Sequence, residues 1–394
     1  MPPDHRVALT PEQCAAVKSM FNVVVVAQPS SIRRFTDDQY EANGIALQED
    51  LSDCDLIIGV KEVPLSMLID GKTYMFFSHT FKKQPYNAKL LRAILNKKIR
   101  LIDYEVIKDE RKKRLIGFGR YAGIVGAYHA FRAFGLKHGL YEIKPPYECA
   151  DRVEMEQQLS LVRLPANMKI VVTGFGRVGN GAAEILQLLP LRKVTEGELL
   201  SESFGQPVYA HLDTQDYYVR KDRGGFDKAD FYNNPQAYQS TLAETVRTAD
   251  LYLACHLWAS GNPYLLSAAD MNDTDWRCKV IADISCDVAG PIASTLRASK
   301  ISDPLYGYQP RTGAECDWKL PEAICVMAID NLPCELPKDA SEDFGNELIK
   351  HVLPLMLGVD DLQQIIWHAT ETTLDGHLTP HFAYLKEYAE GAGY

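Results

Sequence analysis

A glycine-rich turn near the middle of the chain constrains the fold more than any other feature of the sequence. Gly174, Gly176 and Gly179 form a G-x-G-x-x-G motif between an apolar segment, residues 169–173, and an alanine-rich helical pattern at 181–186. In this context the first glycine permits a tight turn, the second lets a pyrophosphate approach the backbone, and the third allows close helix packing. The motif predicts a dinucleotide site at a helix N-terminus; a purely structural turn is the alternative.

The residues after the motif bear on which dinucleotide binds. A carboxylate about 20 residues further on is expected to hold the adenine ribose. Glu196 has this position, directly after a predicted strand at 192–195. Arg192 and Lys193 would instead favour a 2′-phosphate. NAD is therefore the expected cofactor, with NADP as the alternative.

Short apolar segments alternate with helical patterns on both sides of this motif, which is typical of βαβ units and parallel sheets. The predicted strands lie at residues 23–27, 56–60, 73–77, 100–104, 169–173, 251–254 and 280–284. Residues 206–238 are polar, aromatic and glycine-containing, and we interpret them as a surface loop. We take the small-residue helix pattern at 121–136 as an interdomain helix.

The sequence thus predicts an α/β protein with two Rossmann-like domains, each with a mostly parallel sheet flanked by helices. An active-site cleft is expected to separate them. The expected substrate-binding, catalytic domain spans residues 1–138 and is completed by a C-terminal segment, 333–394. Residues 139–332 form the expected dinucleotide-binding domain.

Charge and composition exclude several functional classes. The chain has 394 residues with 42 basic and 52 acidic side chains, so it lacks the overall basic surface that nucleic-acid binding needs. No apolar run approaches the roughly 18 residues of a membrane span, and no secretory signal is recognised. Nine scattered cysteines contain no C-x-x-C pair, which indicates reduced thiols and no metal site. We expect a cytoplasmic protein, monomeric or homodimeric, that acts on a small molecule.

Three polar residues follow successive predicted strands of the first domain. Lys61, His79 and Glu105 each come directly after an apolar segment. Because open α/β sheets bind ligands at the carboxyl ends of their strands, these residues are candidates for an acid/base cluster. The alternative is that each is a solvated loop residue.

Several sequence blocks, in register from about residue 5 to 357, resemble a known family. They are RVALTP at 6–11, GVKEVP at 59–64, KTYMFFSHT at 72–80, IRLIDYE at 99–105, FGRYAG at 118–123, DISCD at 283–287 and AIDNLP at 328–333. The blocks at 6–11, 59–64 and 283–287, with the glycine motif, are similar to the alanine dehydrogenase and transhydrogenase superfamily. Within it, the blocks at 72–80, 99–105, 118–123 and 328–333 more closely resemble lysine-forming saccharopine dehydrogenase and lysine-ketoglutarate reductase.

The resemblance implies roles for individual residues. Lys61 and His79 would be the catalytic pair, and Glu105 would tune their charge. Arg6 and Arg114 would anchor substrate carboxylates, which arginine binds in a bidentate manner, with Phe118 beside the substrate. The cofactor would contact Gly174, Gly176, Arg177, Val178, Gly179, Glu196, Asp287, Asp330, Asn331 and Leu332. The assignment of Asp287 depends on a short match to the segment that carries an active-site aspartate in alanine dehydrogenases.

The resemblance also has departures. Fungal saccharopine dehydrogenases carry a cysteine in the glycine motif that can pair with a second cysteine; here Val178 replaces the first and Cys255 matches the second, so this disulfide cannot form. The leading hypothesis is an NAD(P)-dependent oxidoreductase of the CH–NH group of saccharopine, with its direction open. The alternatives are another amino-acid dehydrogenase, such as alanine dehydrogenase, and a non-catalytic nucleotide-binding protein.

Overall fold

The computed structural model describes residues 4–358 and 361–391. Residues 1–3, 359–360 and 392–394, which the sequence assigns to the first domain, lie outside this description. The chain forms two compact units: Gly119–Leu336 is unit 2, and the described residues on either side of it are unit 1. Within the described residues, none of the helices has the length and apolar character needed to cross a bilayer.

The first segment of unit 1 contains two small parallel sheets. Over residues 4–118 the strands and helices are β1 Val26–Ala27, β2 Ala46–Leu47, β3 Leu56–Lys61, β4 Thr73–Phe77, β5 Arg100–Asp103, α1 Pro11–Phe21, α2 Asp37–Ala42 and α3 Ala88–Asn96. The strands β3, β4 and β5 pair in parallel in that order, and β1 pairs with β2. The strand predicted at 23–27 is therefore shorter than expected and belongs to the smaller sheet.

The central strand β4 of the sheet β3-β4-β5 is buried, and the side chains of its successive residues point to opposite faces. On β4, Tyr74 and Phe76 pack in a cluster with Leu90 and other residues of α3. Met75 and Phe77, which point to the other face of β4, pack in a second cluster that includes Phe344 from the C-terminal segment. Two-sided burial explains why the strand has a continuous apolar sequence.

Unit 2 contains ten strands, which are β6 Lys169–Thr173, β7 Arg192–Val194, β8 Val208–Leu212, β9 Tyr218–Arg220, β10 Tyr238–Ser240, β11 Leu251–Ala254, β12 Val280–Asp283, β13 Leu305–Gln309, β14 Ala314–Cys316 and β15 Ile324–Met327. Eight of them form one sheet in the order β14-β13-β15-β12-β11-β6-β8-β7, in which every pairing is parallel except those of β13 with β14 and with β15. The other two, β9 and β10, form a separate antiparallel pair. The α-helices of unit 2 are α4 Gly119–His138, α5 Arg152–Gln158, α6 Arg177–Gln187, α7 Glu196–Ser201, α8 Thr214–Tyr217, α9 Lys228–Asn233, α10 Leu242–Val246 and α11 Ala268–Met271. The predicted α/β fold class is confirmed.

The surface loop predicted at 206–238 is wrong. This segment contains β8, which pairs directly with β6, followed by helices α8 and α9 and the antiparallel pair β9-β10. Its aromatic residues, among them Tyr217, Phe231 and Tyr238, are buried in the core of unit 2. The polar residues between them obscured a short buried strand and an aromatic cluster.

The long helix α4 lies in unit 2, whereas the sequence placed residues 119–138 in the first domain. The physical reason is a close approach between α4 and α6. A Cβ atom at Gly123 would lie 1.9 Å from the Val178 carbonyl oxygen, and one at Gly181 would lie 2.0 Å from that of Arg120. Glycine at these positions lets the two helix backbones touch.

The C-terminal segment returns to unit 1. It contains α12 Pro337–His351, α13 Leu353–Leu357, α14 Ile365–His368, a 3₁₀ turn at Pro380–Leu385 and α15 Lys386–Glu390. Gln13 on α1 donates to the Glu342 carbonyl and to Asn346, both on α12. Further on, the Glu371 amide donates to the Leu101 carbonyl on β5, so the returning chain runs beside that strand.

Candidate active site

The predicted catalytic residues lie at one edge of the unit 1 sheet. Lys61 is the last residue of β3, and His79 and Glu105 each follow the end of their strand by two residues. Because β3, β4 and β5 are parallel neighbours, their carboxyl ends share the edge where α/β sheets hold ligands. The fold thus brings together three residues that are 18 to 44 positions apart in the sequence.

Three basic groups surround the Glu105 carboxylate. Lys82 Nζ lies 2.7 Å from Oε2, Arg114 Nη2 lies 2.7 Å from Oε1, and His79 Nε2 lies 3.6 Å from Oε2. Burial alone would raise the pKa of Glu105, but the hydrogen bond from Lys82 and the charge of Arg114 lower it below its usual value. Glu105 is therefore ionised at neutral pH and holds these side chains together.

His79 is an imidazole suited to accepting a proton. Burial lowers its pKa, and the charges of Lys82 and Lys61 lower it further, against the opposing effects of Asp103 and Glu105. An imidazole with a lowered pKa is neutral at pH 7 and can act as a general base. The cluster therefore combines a neutral base with two ammonium groups and a carboxylate.

Asp103 fixes the two loops that carry His79 and Glu105. The backbone N–H groups of Ser78 and His79 donate to its Oδ2 at 2.9 and 3.0 Å, and the Glu105 N–H donates to its Oδ1 at 2.7 Å. His79 has a φ of 54°, a left-handed conformation that costs a residue with a Cβ about 1–2 kcal/mol. Charge-assisted hydrogen bonds to the buried Asp103 offset this strain.

The predicted substrate anchor Arg6 is nearly buried, with 4% of its side chain exposed. Its Nε and Nη2 donate to the Asp4 carboxylate at 3.0 and 2.7 Å, and its guanidinium carbon lies 4.1 Å from the centre of the Phe118 ring. Phe118 stacks on Phe344 with ring centres 4.5 Å apart. Burial would raise the pKa of Asp4, but Arg6 and, to a smaller extent, Lys61 lower it. The charge of Lys61 thus favours the ionised form of Asp4.

Lys82 and Asp103 are not among the site residues predicted from the sequence. Lys82 ends the 3₁₀ turn Thr80–Lys82, which follows His79 and returns toward Glu105. The sequence feature that could have pointed to Lys82 is its position three residues after the candidate base His79. Asp103 is a polar residue at the end of a buried strand, which is a recognisable signal for a positioning role.

The glycine motif in unit 2 has the geometry of a phosphate-binding turn. Gly174 has a φ of 95°, and a Cβ there would lie 2.4 Å from the Cys255 carbonyl oxygen. A Cβ at Gly179 would lie 1.8 Å from the Gly174 carbonyl oxygen. At Gly176 no atom of the described residues, apart from the glycine and its two chain neighbours, lies within 4 Å of the Cβ position. The turn is packed on two sides and open where a pyrophosphate would approach.

Helix α6 begins immediately after Gly176, its N-cap residue. Arg177 and Val178, both predicted to contact the cofactor, are its first two residues and are partly exposed. The first N–H groups of a helix have no partner within the helix and carry a partial positive charge. The residues present therefore fit the pyrophosphate of a dinucleotide.

The strand order changes the residue expected to read the adenine ribose. Glu196 follows β7, which is the edge strand, and Thr245 Oγ1 donates to its carboxylate. The neighbour of β6 is β8, and Asp213 is the first residue after it. In dinucleotide-binding folds the ribose carboxylate follows the strand next to the glycine turn. The structure gives this position to Asp213 instead of Glu196, because an additional strand precedes β8.

The remaining predicted cofactor residues follow two other parallel strands. Asp287 follows β12, while Asp330 and Asn331 precede the 3₁₀ turn Leu332–Glu335. Burial raises the pKa of Cys286 to about 12, with smaller contributions from Asp283, Asp330 and Asp287. The charges of Asp287 and Asp330 thus both disfavour the thiolate form of Cys286. They share the carboxyl edge of the sheet with the glycine turn.

All nine cysteines are free thiols. Cys255 is buried, and Val178 occupies the position of its fungal partner. Burial raises the pKa of Cys255 well above the ordinary thiol value. This cysteine packs as an apolar residue and is unreactive at neutral pH.

The fold is shared by two-domain Rossmann-like proteins such as alanine dehydrogenase and transhydrogenase, and dehydrogenases of that superfamily bind nicotinamide cofactors. Residues 1–125 match the family described as alanine dehydrogenase/PNT, N-terminal domain. The resemblance inferred from the sequence motifs is therefore confirmed.

Named relatives cover nearly the whole chain. An α-aminoadipic semialdehyde synthase of Arabidopsis thaliana is 31% identical over 97% of the chain and 40% of its own length. A mitochondrial protein of the same name from Mus musculus is 28% identical over 98% of the chain and 46% of its own length. Saccharopine dehydrogenase [NAD(+), L-lysine-forming] of Neurospora crassa is 23% identical, covering 94% of this chain and 92% of that one. The chain spans less than half of the first two relatives.

Solved structures show the same fold. An L-alanine dehydrogenase superimposes with a TM-score of 0.62 at 16% identity, covering 99% of this chain and 97% of that one. A transhydrogenase from Sinorhizobium meliloti superimposes with a TM-score of 0.59 at 17% identity and covers 96% of each chain.

Proposed function

We propose that the protein is an NAD-dependent oxidoreductase that interconverts saccharopine with L-lysine and 2-oxoglutarate. The observation that carries the proposal is the cluster of Lys61, His79 and Glu105 at one sheet edge, which pairs a neutral imidazole with an ammonium group. A relative that matches the chain along most of both lengths carries the name of this activity. Lys61 and His79 are the proposed catalytic residues.

In the oxidative direction, the neutral His79 imidazole accepts the N–H proton of the secondary amine. The C–H bond of the carbon next to this nitrogen breaks, and its hydrogen leaves as a hydride. A bound nicotinamide supplies the hydride acceptor. Water then adds to the resulting C=N bond, and the carbinolamine collapses to lysine and 2-oxoglutarate. Lys61 and His79 transfer the protons of these steps, while Glu105 keeps the basic side chains in place.

Two arginines are the proposed partners of substrate carboxylates. Arg6 is oriented by Asp4 and by the Phe118 ring, and Arg114 is oriented by Glu105. Guanidinium groups bind carboxylates in a planar, bidentate geometry. Orientation before binding reduces the entropy that is lost when substrate arrives.

The proposed cofactor is NAD, and Asp213 carries this preference. Its position after β8 suits hydrogen bonds to a ribose 2′-hydroxyl, and its charge would repel a 2′-phosphate. Asp287 and the segment around Asn331 are proposed to contact the same cofactor. We predict that the protein is cytoplasmic, whereas the relative from mouse is named as mitochondrial.

The test is the absorbance of NADH with two pairs of co-substrates. We expect NADH oxidation with lysine plus 2-oxoglutarate and little with ammonia plus pyruvate. Turnover only with ammonia and pyruvate would show a different amino-acid dehydrogenase. Tight NADH binding without turnover on a panel of amines and oxo acids would show a nucleotide-binding protein. The Lys61→Met variant is the control for contaminating dehydrogenases.

A further inference from the structure

A chain of buried oxygen atoms lies directly beneath the His79 loop. Ser78 Oγ lies 2.6 Å from Asp103 Oδ2 and 2.6 Å from Thr80 Oγ1, and Thr80 Oγ1 lies 2.5 Å from Glu371 Oε2. All four side chains are buried with no measurable exposure. This chain of oxygen atoms connects Asp103, at the end of β5, to Glu371 in the C-terminal segment through two hydroxyl groups.

The number of protons in this chain follows from its geometry. Oxygen atoms at these distances need one hydrogen in each contact, and there are three contacts. The hydroxyls of Ser78 and Thr80 supply two hydrogens between them. The third hydrogen must therefore belong to one of the two carboxyl groups.

The surroundings of the two carboxyl groups differ. Asp103 accepts three backbone N–H groups as well as the Ser78 hydroxyl, and this arrangement favours the ionised form. The hydrogen bonds of the Glu371 carboxyl within the described residues are to the hydroxyls of Thr80 and Ser78. A carboxyl group buried without cationic or N–H partners favours its neutral form. The extra proton therefore belongs on Glu371.

We propose that Glu371 is a neutral carboxylic acid whose proton begins a directed chain, Glu371 to Thr80 to Ser78 to Asp103, that holds the His79 loop. Glu371 and Thr80 are thus positioning residues for His79. Each hydroxyl donates to the next oxygen, and the chain ends on the ionised Asp103. That carboxylate in turn accepts the backbone N–H of His79 in its left-handed conformation.

Burial raises the pKa of both carboxyl groups, but hydrogen bonds from the Ser78 hydroxyl and from the backbone N–H groups of Glu105 and His79 oppose the rise at Asp103, so the proton favours Glu371. Burial, followed by the charge of Asp103, raises the pKa of Glu371 to about 8. The charged and titratable groups around the chain are Asp103 and Tyr384 next to Glu371, and His79, Tyr104 and Glu105 next to Asp103. Loss of the Glu371 proton would place two negative charges in one buried chain.

The direct test is infrared spectroscopy of the C=O stretch of protonated carboxylic acids in the full-length protein. The Glu371→Gln variant preserves shape, and its amide can donate to Thr80. We expect the wild-type protein at pH 7 to show a protonated-carboxyl band that this variant lacks and that disappears as the pH rises through about 8. Glu387→Gln, the same change at an exposed position on α15, should retain the band. Identical bands in wild type and Glu371→Gln would overturn the proposal.

A second measurement uses the pH dependence of stability. The folded protein retains a proton that an unfolded glutamate releases near pH 4.5, so the melting temperature of wild type should fall as the pH rises from about 5 toward 8. The Glu371→Gln variant should lack this component of the fall, and Glu387→Gln should keep it. Parallel curves for wild type and Glu371→Gln would contradict a neutral Glu371.

The effect on His79 rests on the proposed function and is tested separately. Thr80→Val removes the central hydroxyl, whereas Thr80→Ser retains it. We expect kcat to fall about tenfold or more in Thr80→Val, with an unchanged NADH dissociation constant, and to recover in Thr80→Ser. Equal kcat in both variants would end the positioning role. Absence of turnover in wild type would reject the proposed function, while the infrared and stability results would still decide the proton.

Discussion

The candidate sites of the two units are built in opposite ways, one from exposed backbone and the other from charged side chains. In unit 2 the glycine turn depends on missing side chains, because a Cβ at Gly174 or Gly179 would overlap a backbone carbonyl. In unit 1 the strand-end cluster depends on charged side chains that control one another, with three basic groups around Glu105. A backbone site is disabled by adding atoms, and a side-chain site by removing charge. The two sites should therefore fail in measurably different ways.

The largest expected effect is in unit 1. Because proton transfer by a positioned side chain contributes about 10²- to 10⁴-fold, Lys61→Met and His79→Gln should each lower kcat by that order. NADH affinity and melting temperature should stay near wild type, since both residues lie at the edge of the sheet. Steady-state kinetics, fluorescence titration and thermal unfolding measure the three quantities. Lys89→Met, an exposed lysine on α3, is the matched control. Loss of melting temperature with normal turnover per folded molecule would show a structural role.

The converse pattern is expected in unit 2. A valine side chain at Gly176 would enter the open space beside the helix N-terminus and weaken NADH binding at least tenfold, or about 1.4 kcal/mol. The variant should remain folded because, apart from the glycine and its two chain neighbours, no atom of the described residues lies within 4 Å of the Cβ position. Fluorescence titration measures the dissociation constant, and Gly205→Val, another position with open space around the Cβ, is the control. Unchanged affinity in Gly176→Val would remove this turn from the cofactor site.

A smaller effect separates the two candidate ribose carboxylates. If Asp213 reads the ribose, Asp213→Ala should raise the ratio of kcat/KM for NADPH to that for NADH about tenfold, because one charged hydrogen bond and one repulsion are lost. Glu196→Ala should leave this ratio unchanged, since Glu196 follows the edge strand. Kinetics with both cofactors measure the ratio. The reverse result would restore Glu196 as the ribose-binding residue.

The smallest expected effect concerns the pH dependence of unit 1. Glu105 raises the pKa of His79, while burial and the charge of Lys82 lower it. Glu105→Gln should therefore lower the pKa of His79 further and move the acid limb of the kcat/KM profile to lower pH. A histidine NMR titration gives the pKa independently of turnover. An unchanged imidazole pKa would show that Glu105 does not act on His79, and a rise would contradict the expected sign.

Much of unit 1 was predictable because its signals are local. The strands at 56–60 and 73–77 and the polar residues that follow them were visible as apolar segments and their ends. Parallel pairing then places these ends together. Asp103 and Lys82 were not assigned because their roles depend on hydrogen bonds that close only when loops from neighbouring strands meet.

Unit 2 shows where local signals fail. The strand β8 lies among polar and aromatic residues, and only its position beside β6 identifies it as a core strand. Since strand order is not encoded in spacing, the spacing rule selected Glu196, whereas the pairing of β8 with β6 is the basis for proposing Asp213. The assignment of α4 to unit 2 likewise depends on a close contact between α4 and α6 that involves Gly123 and Gly181.

By itself, the sequence determined the α/β class, the glycine turn, and the strand-end positions of Lys61, His79 and Glu105, because each depends on neighbouring residues along the chain. The tertiary structure alone decided which strand lies next to β6 and which side chains surround Glu105. It also decided that Glu371 meets the His79 loop from 292 positions away in the sequence. The physical reason is that sheet order and buried hydrogen bonds arise from packing between distant segments, whereas turns and strands arise from local backbone preferences.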